Sequence, residues 1–288
     1  MELSVECIGC LVNQAVGLVN THLDNEDSRR GWMKKILLEI AASEDNSSAP
    51  YIAHKIHRVL KEALQNPDLY REVKLYYNSE MLKLEKEFAG LIGAGDERLE
   101  TALKLAAAGN IIDYGPRQDL SRDEVLAVIS QTLEKEFDRE TFASLRSDLQ
   151  VAGNLLYLGD NAGEIVFDKI FISTITSEYP NLNVDFAARG GPILNDVTEE
   201  DAYFVGMNSH ARIINNGIDI PGTVLEHCSD SFQRAFDNAD VIIAKGQGNF
   251  ESLYGTGRSN LYYIFLCKCD LFVERCGALP NDIMLMKE

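Results

Sequence analysis

The chain has 288 residues and a formal net charge of −18, from 45 acidic against 27 basic side chains. That balance, with no basic stripe, argues against nucleic acid or an anionic membrane surface as partner, and no apolar run approaches the ~20 residues of a membrane span. With 45% hydrophobic residues, six cysteines and an acidic start, Met1 to Cys7, that is no signal peptide, a cytoplasmic protein with free thiols is expected, one large domain or two ordinary ones in size.

Residues 1–150 read as helices. Cys7 and Cys10 stand three apart, on one face of a first helix; a zinc site needs two more ligands and a buried thiol needs none, so both readings stay open. Trp32, Ile36, Leu37 and Ile40 define a second apolar face, and Ile52, Ile56, Val59, Leu60 and Leu64 a third, with Pro50 in a first turn that tolerates it. His54 and His57, interleaved with Lys55 and Arg58, read as a solvated helix face. The run Ala108-Gly109-Asn110-Ile111-Ile112-Asp113 ends in an aspartate that suits a cap or turn as well as catalysis, and Ser121 opens a capping box.

From about residue 151 the texture becomes strand, turn, helix. Candidate strands are Asn154 to Leu158, Val184 to Ala188, Arg212 to Asn215, Val241 to Lys245, Tyr262 to Cys267 and Ile283 to Met286. Helical patterns fill most gaps, including Thr198 to Met207 and Ser229 to Ala239, the latter with Asp230 as its expected cap. Such alternation predicts an α/β fold with a mostly parallel sheet covered on both faces. The last strand follows a short segment, Cys269 to Gly277, and suits an antiparallel edge.

The strand ends carry the chemistry, because open α/β sheets bind ligands at their carboxyl edge. Gly159-Asp160-Asn161-Ala162-Gly163-Glu164 offers a carboxylate and an amide side by side, oxygen donors for a hard divalent cation, ahead of a helix start that favours an anion. Asp196, in Asn195-Asp196-Val197-Thr198, is either a helix cap or a further ligand. Lys245, ahead of Gly246-Gln247-Gly248-Asn249-Phe250-Glu251, is either a solvated side chain or a phosphate contact. Taken together, two aspartates, an asparagine, a lysine and glycine amides suggest a metal beside a phosphate. A surface of this charge repels phosphorylated metabolites, so such a site needs local cations. No G-x-x-x-x-G-K-[ST] occurs, and Glu251 breaks a G-x-G-x-x-G.

These segments, with Asn66-Pro67-Asp68-Leu69-Tyr70, the Asn110 run and Cys7-Ile8-Gly9-Cys10, resemble the damage-control phosphatase family nearly end to end, and the Cys pair resembles its stand-alone prokaryotic branch. The resemblance implies a helical N-terminal domain or lid over residues 1–150. It further implies a three-layer α/β/α domain over 151–288 with an antiparallel last strand. It implies hydrolysis of small phosphorylated metabolites, a house-cleaning activity, by a metal-activated water, with magnesium, manganese, cobalt or nickel as the ion. Asp160, Asn161 and Asp196 match the metal ligands and Lys245 the phosphate-binding lysine. Glu164 and Asn110 match positions lining the pocket, and Arg189 and Gly246 are expected beside them. Two readings compete: an S-adenosylmethionine-dependent carboxyl methyltransferase, as proposed for the family's eukaryotic branch, and a non-enzymatic metal-dependent ligand-binding protein. The sequence leaves the oligomeric state open.

Overall fold

The computed structural model describes residues 3–44, 47–93, 97–109 and 122–288. Asn110, Asp113 and Ser121 lie outside the described residues. Seven helices precede the first strand among them: α1 (Val5–His22), α2 (Glu26–Ala41), α3 (Ala49–Leu64), α4 (Arg71–Leu91), α5 (Arg98–Ala108), α6 (Arg122–Leu133) and α7 (Arg139–Val151). Polar caps start several of them. Ser4 accepts from the Cys7 amide, Asn25 from Ser28, and Asp138 from Glu140 and Thr141, each satisfying an amide that the helix itself leaves unbonded.

The remainder alternates as β1 (Asn154–Leu158), α8 (Glu164–Glu178), β2 (Asn183–Ala188), α9 (Glu199–Phe204), β3 (Arg212–Asn215), α10 (Asp230–Asn238), β4 (Val241–Lys245), α11 (Gln247–Leu253), β5 (Leu261–Leu266), α12 (Asp270–Cys276) and β6 (Ile283–Lys287). The strands lie in the order β3-β2-β1-β4-β5-β6. The first five are parallel, and β6 runs antiparallel to β5. The six strands stand within a residue of their expected bounds, because buried parallel strands are short continuous apolar runs that end at turn residues. Ser229, and not Asp230, caps α10, accepting from the Phe232 amide.

Side chains alternate across each strand, and the two faces have separate cores. Tyr157, Phe186, Ile243 and Ile264 pack with α5, α7 and α8, including Leu103, Leu145 and Phe167. Leu158, Ala187, Ala244 and Phe265 pack with α10, α11 and α12, including Phe236, Phe250 and Phe272. This is a three-layer α/β/α arrangement, and the first of these cores runs from Met81 to Leu285. Helices α1–α3 have a core of their own, built from Leu11, Leu18, Ile36, Ile52, Ile56 and Leu60 among others. Leu37, expected inside, is 43% exposed. No helix among the described residues is long and apolar enough to cross a membrane.

The histidines differ from expectation. His57 is buried at 1% exposure, and His54 is half-buried, its Nδ1 2.8 Å from the Asp219 carbonyl. Lys61 Nζ reaches the same residue, 3.0 Å from Asp219 Oδ2, and also donates to the Pro192 carbonyl. Of the face read as solvated, His54 docks α3 on the sheet domain and His57 is buried beside Tyr70, while Arg58 is exposed. Flanking charges mislead here because a long basic stem can lie along a buried face with its head at a partner.

Candidate active site

The chain runs β1→β2→β3 toward one edge of the sheet and returns to β4 on the other side of β1. The crevice beyond the carboxyl ends of β1 and β4 is therefore the topological switch point, where α/β sheets of this kind bind ligands. The turn after β1 brings Asp160 and Asn161 to it. The turn after β2 brings Asp196, and the two turns are joined by backbone bonds: Val197 N to Asp160 O and Ala162 N to Asn195 O, both 2.8 Å, around an Asn161–Asp196 bridge. These three side chains line a cleft of ≈ 290 Å³, together with Leu11 of α1, Ala49, Pro50 and Ala53 of α3, and Gln247, Gly248 and Glu251 of α11.

Gly246 makes room for Asp160. Its φ of +79° is a conformation L side chains rarely adopt, and a Cβ there would stand 1.8 Å from Asp160 Oδ2, so no other residue fits. Its amide donates to the Ile264 carbonyl at 3.0 Å and so completes the sheet. At the start of α8 the Gly163 amide is likewise engaged, donating to Asn78 Oδ1 at 2.6 Å.

The remaining expected residues stand directly behind the cleft. Arg189 is 2% exposed, with Nε 2.7 Å from Asp196 Oδ2, Nη1 3.1 Å from Asn249 Oδ1 and Nη2 3.7 Å from Asp160 Oδ1. Asp196 is therefore no helix cap; Thr198 takes that place at α9, its amide and hydroxyl donating to Asp201 Oδ2 at 2.9 and 2.7 Å. Lys245 is fully buried, its ammonium 3.0 Å from Asp168 Oδ1 and 3.6 Å from Glu164 Oε2. Asn161 Nδ2 donates to Asp160 Oδ2 at 2.8 Å and to Glu164 Oε1 at 2.9 Å. The arrangement stacks three charge layers: acids at the cleft floor, two buried cations behind them, and Asp168 beneath Lys245.

The electrostatics follow from that stacking. Burial, then the neighbouring Glu164 and Asp196 charges, push Asp160 well above the ordinary carboxylate range despite Arg189 and Lys245. Burial raises Asp196 to about 6, even against the adjacent Arg189 guanidinium. Burial opposes the Lys245 ammonium, but Asp168 and Glu164 outweigh it and hold the group above its usual value. The cleft floor thus holds more negative charge than its cations offset, which a divalent cation would relieve. Two carboxylates and an amide are oxygen donors that fit magnesium, manganese, cobalt or nickel while leaving positions for water and substrate. Among the described residues, no three or more His, Cys, Asp or Glu side chains are arranged to hold a metal; Cys7 and Cys10 are free thiols.

Sequence reasoning missed the supporting residues. Asp168 falls one helical turn after Glu164, the spacing that puts both on one face of α8. Asn249 Nδ2 donates to the carbonyls of Gly159 and Lys245 at 3.1 and 2.6 Å, tying the two glycine turns together. Lys74 and Asn78, on α4, reach Asp201 at 3.1 and 3.0 Å. No local pattern marks their reach to Asp201, more than 120 residues away, although Lys74 also pairs with Asp68 at 3.0 Å.

A family model described as Damage-control phosphatase ARMT1-like domain matches residues 3–283. The chain is 35% identical to a damage-control phosphatase of Pyrococcus horikoshii over 292 residues, covering 100% of this chain and 98% of the relative. It is 30% identical to a damage-control phosphatase of Archaeoglobus fulgidus, covering 99% and 98%. The crystal structure of a DUF89 family protein from Pyrococcus horikoshii matches the whole fold with a TM-score of 0.89 at 31% identity, covering 100% of this chain and 99% of that one.

Proposed function

Given that this chain belongs to the damage-control phosphatase ARMT1-like family, a phosphatase of house-cleaning type acting on small phosphorylated metabolites, we propose that its reaction is metal-dependent and takes place in the cleft between β1 and β4. The supporting observation is the convergence of Asp160, Asn161 and Asp196 at the switch point, on turns bonded to one another backbone to backbone. Asp160, Asn161 and Asp196 would hold the ion. A divalent cation supplies Lewis acidity toward a phosphoryl oxygen and toward the attacking water.

The chain's own residues supply the rest. Arg189 fixes the Asp196 carboxylate with a charge-assisted bond at 2.7 Å, so the donor keeps one orientation. Asn161 bridges Asp160 and Glu164 and keeps two like charges from separating the turn. Lys245 contributes a buried positive charge directly behind Glu164, in a site where low dielectric strengthens its effect on the phosphoryl oxygens. Leu11 and the start of α3 roof the cleft and exclude water from the reacting group.

The test is phosphate release from a chromogenic phosphate monoester, with chelator and after adding back magnesium, manganese, cobalt or nickel. Release that requires the added ion supports the proposal; equal release in chelator overturns it. Methyl transfer from S-adenosylmethionine without phosphate release would replace it with the methyltransferase reading, and ligand binding without either reaction with the non-enzymatic one.

A further inference from the structure

The cleft has a second pole. Lys268, in the segment after β5, is the only lysine or arginine lining it among the described residues, and its ammonium has no carboxylate partner among them. The two cations behind the floor are committed elsewhere: Arg189 to Asp196 and Asn249, Lys245 to Asp168 and Glu164. Among the described residues lining the cleft, a substrate therefore meets one uncommitted positive side chain.

Its place follows from the sheet. β4 lies between β1 and β5, and neighbouring strands are ~4.8 Å apart, so Lys268 is offset from Asp160 by about 10 Å across the strands. Leu158 is level with Ala244 and Ala244 with Tyr263. Asp160 stands two residues past Leu158 and Lys268 five past Tyr263, which sets Lys268 about 10 Å further outward at ~3.3 Å per residue. Its flexible four-carbon stem spans part of that separation, leaving a gap that a short carbon chain fills. A cleft of ≈ 290 Å³ is at the small end for ligand sites.

We propose that Lys268 is a specificity residue for a second anionic group, and that the favoured substrates are phosphate esters of short-chain carboxylic acids, with the phosphoryl group at Asp160 and the carboxylate at Lys268. A single ammonium matches a carboxylate monoanion one for one, whereas a second phosphate dianion would leave excess negative charge beside Glu251 and Asp196. The orientation, though not the presence of a second anion, rests on the phosphatase reading.

Glucitol 6-phosphate and 6-phosphogluconate share a six-carbon body and differ at the far end, hydroxymethyl against carboxylate. The KM of the acid is expected to lie about tenfold below that of the alcohol, as for a charge-assisted contact. Lys268→Met should bring the two KM values together, mainly by raising that of the acid, and Lys268→Arg should restore the difference. A ratio unchanged in Lys268→Met, or KM values raised equally for both compounds, would overturn the assignment. A second measurement needs no turnover: 6-phosphogluconate should shield Lys268 from acetylation, read by mass spectrometry, while glucitol 6-phosphate should not. Equal acetylation with both compounds would defeat the inference even in a working phosphatase. Shielding by the acid alone without phosphate release from either would defeat the phosphatase reading and leave this one standing.

Discussion

Lys245 leaves β4 with no exposed surface and an ammonium held between Asp168 and Glu164. Lys245→Met removes that charge and strands two buried carboxylates, which costs roughly 3–5 kcal/mol and should lower the urea midpoint. Turnover should fall by about 10²-fold or more, because a positive charge in a desolvated site is lost from the transition state. Adding Asp168→Leu removes one stranded acid and should recover much of the stability and none of the turnover. Metal affinity by calorimetry should barely change in the single variant. Lost metal binding with normal kinetics would make Lys245 a structural residue. Asp160→Ala tests the opposite side of the site: turnover should vanish with helical circular dichroism intact, and full activity in chelator would end the metal mechanism.

Helix α4 acts on the site without lining its cleft. Asn78 Oδ1 accepts from the Gly163 amide and its Nδ2 donates to Asp201, which also binds Lys74 and the Thr198 amide and hydroxyl. One buried side chain therefore links the turn carrying Asp160 and Asn161 to the turn that follows Asp196. Asn78→Ala leaves the Gly163 amide and one Asp201 oxygen unpaired, at a cost of about 1–3 kcal/mol. It should lower kcat about tenfold with little change in KM, since donors shifted by a fraction of an ångström lose preorganisation before they lose the substrate. Asn78→Asp keeps the acceptor for Gly163 but sets a second carboxylate against Asp201, and should be no better than alanine. A Tm shift with unaltered kcat would confine Asn78 to stability.

At the scale of the whole molecule, α1–α3 form a body with its own core, docked on the sheet domain through Asp219, Pro192 and the stacking of Tyr51 on His227. The stability of this body and of its docking should fall in acid. Burial, with Lys61 and the other histidines adding to it, lowers His57 to about 3, while the unfolded group titrates near its ordinary ~6.5. Between those values the unfolded state binds the extra proton, so stability is full above about pH 6.5 and declines as pH falls toward 3. Burial opposes ionisation of Asp219, but hydrogen bonds from His54 and Lys61 hold it at about 2, so its contribution is lost between about pH 4 and 2. Among the described residues, both ring nitrogens of His57 lack hydrogen-bond partners, which costs the folded state free energy at neutral pH. His57→Phe should flatten the stability profile from pH 6.5 to 4 and raise Tm at pH 7. An unchanged slope would place the acid sensitivity elsewhere.

Local sequence determined every strand and most helices, since β1, β4 and β5 are apolar runs cut by turn residues and the helices carry their own periodicity and caps. It also determined which turns bear oxygen donors, because Asp160 and Asn161 are adjacent and the Gly246 turn follows its strand directly. The strand order, and with it the meeting of Asp160 and Asp196, was decided by the tertiary structure, as nothing local to either turn specifies its neighbour. The same holds for Lys245: adjacency to a glycine loop marks it as a candidate, but its pairing with Asp168 depends on β4 lying beside β1, the strand that feeds α8. His57 and Asn78 were illegible for a further reason. Their surroundings come from chain distant in sequence, and a polar side chain among charged neighbours looks the same whether its helix faces water or another layer of the fold.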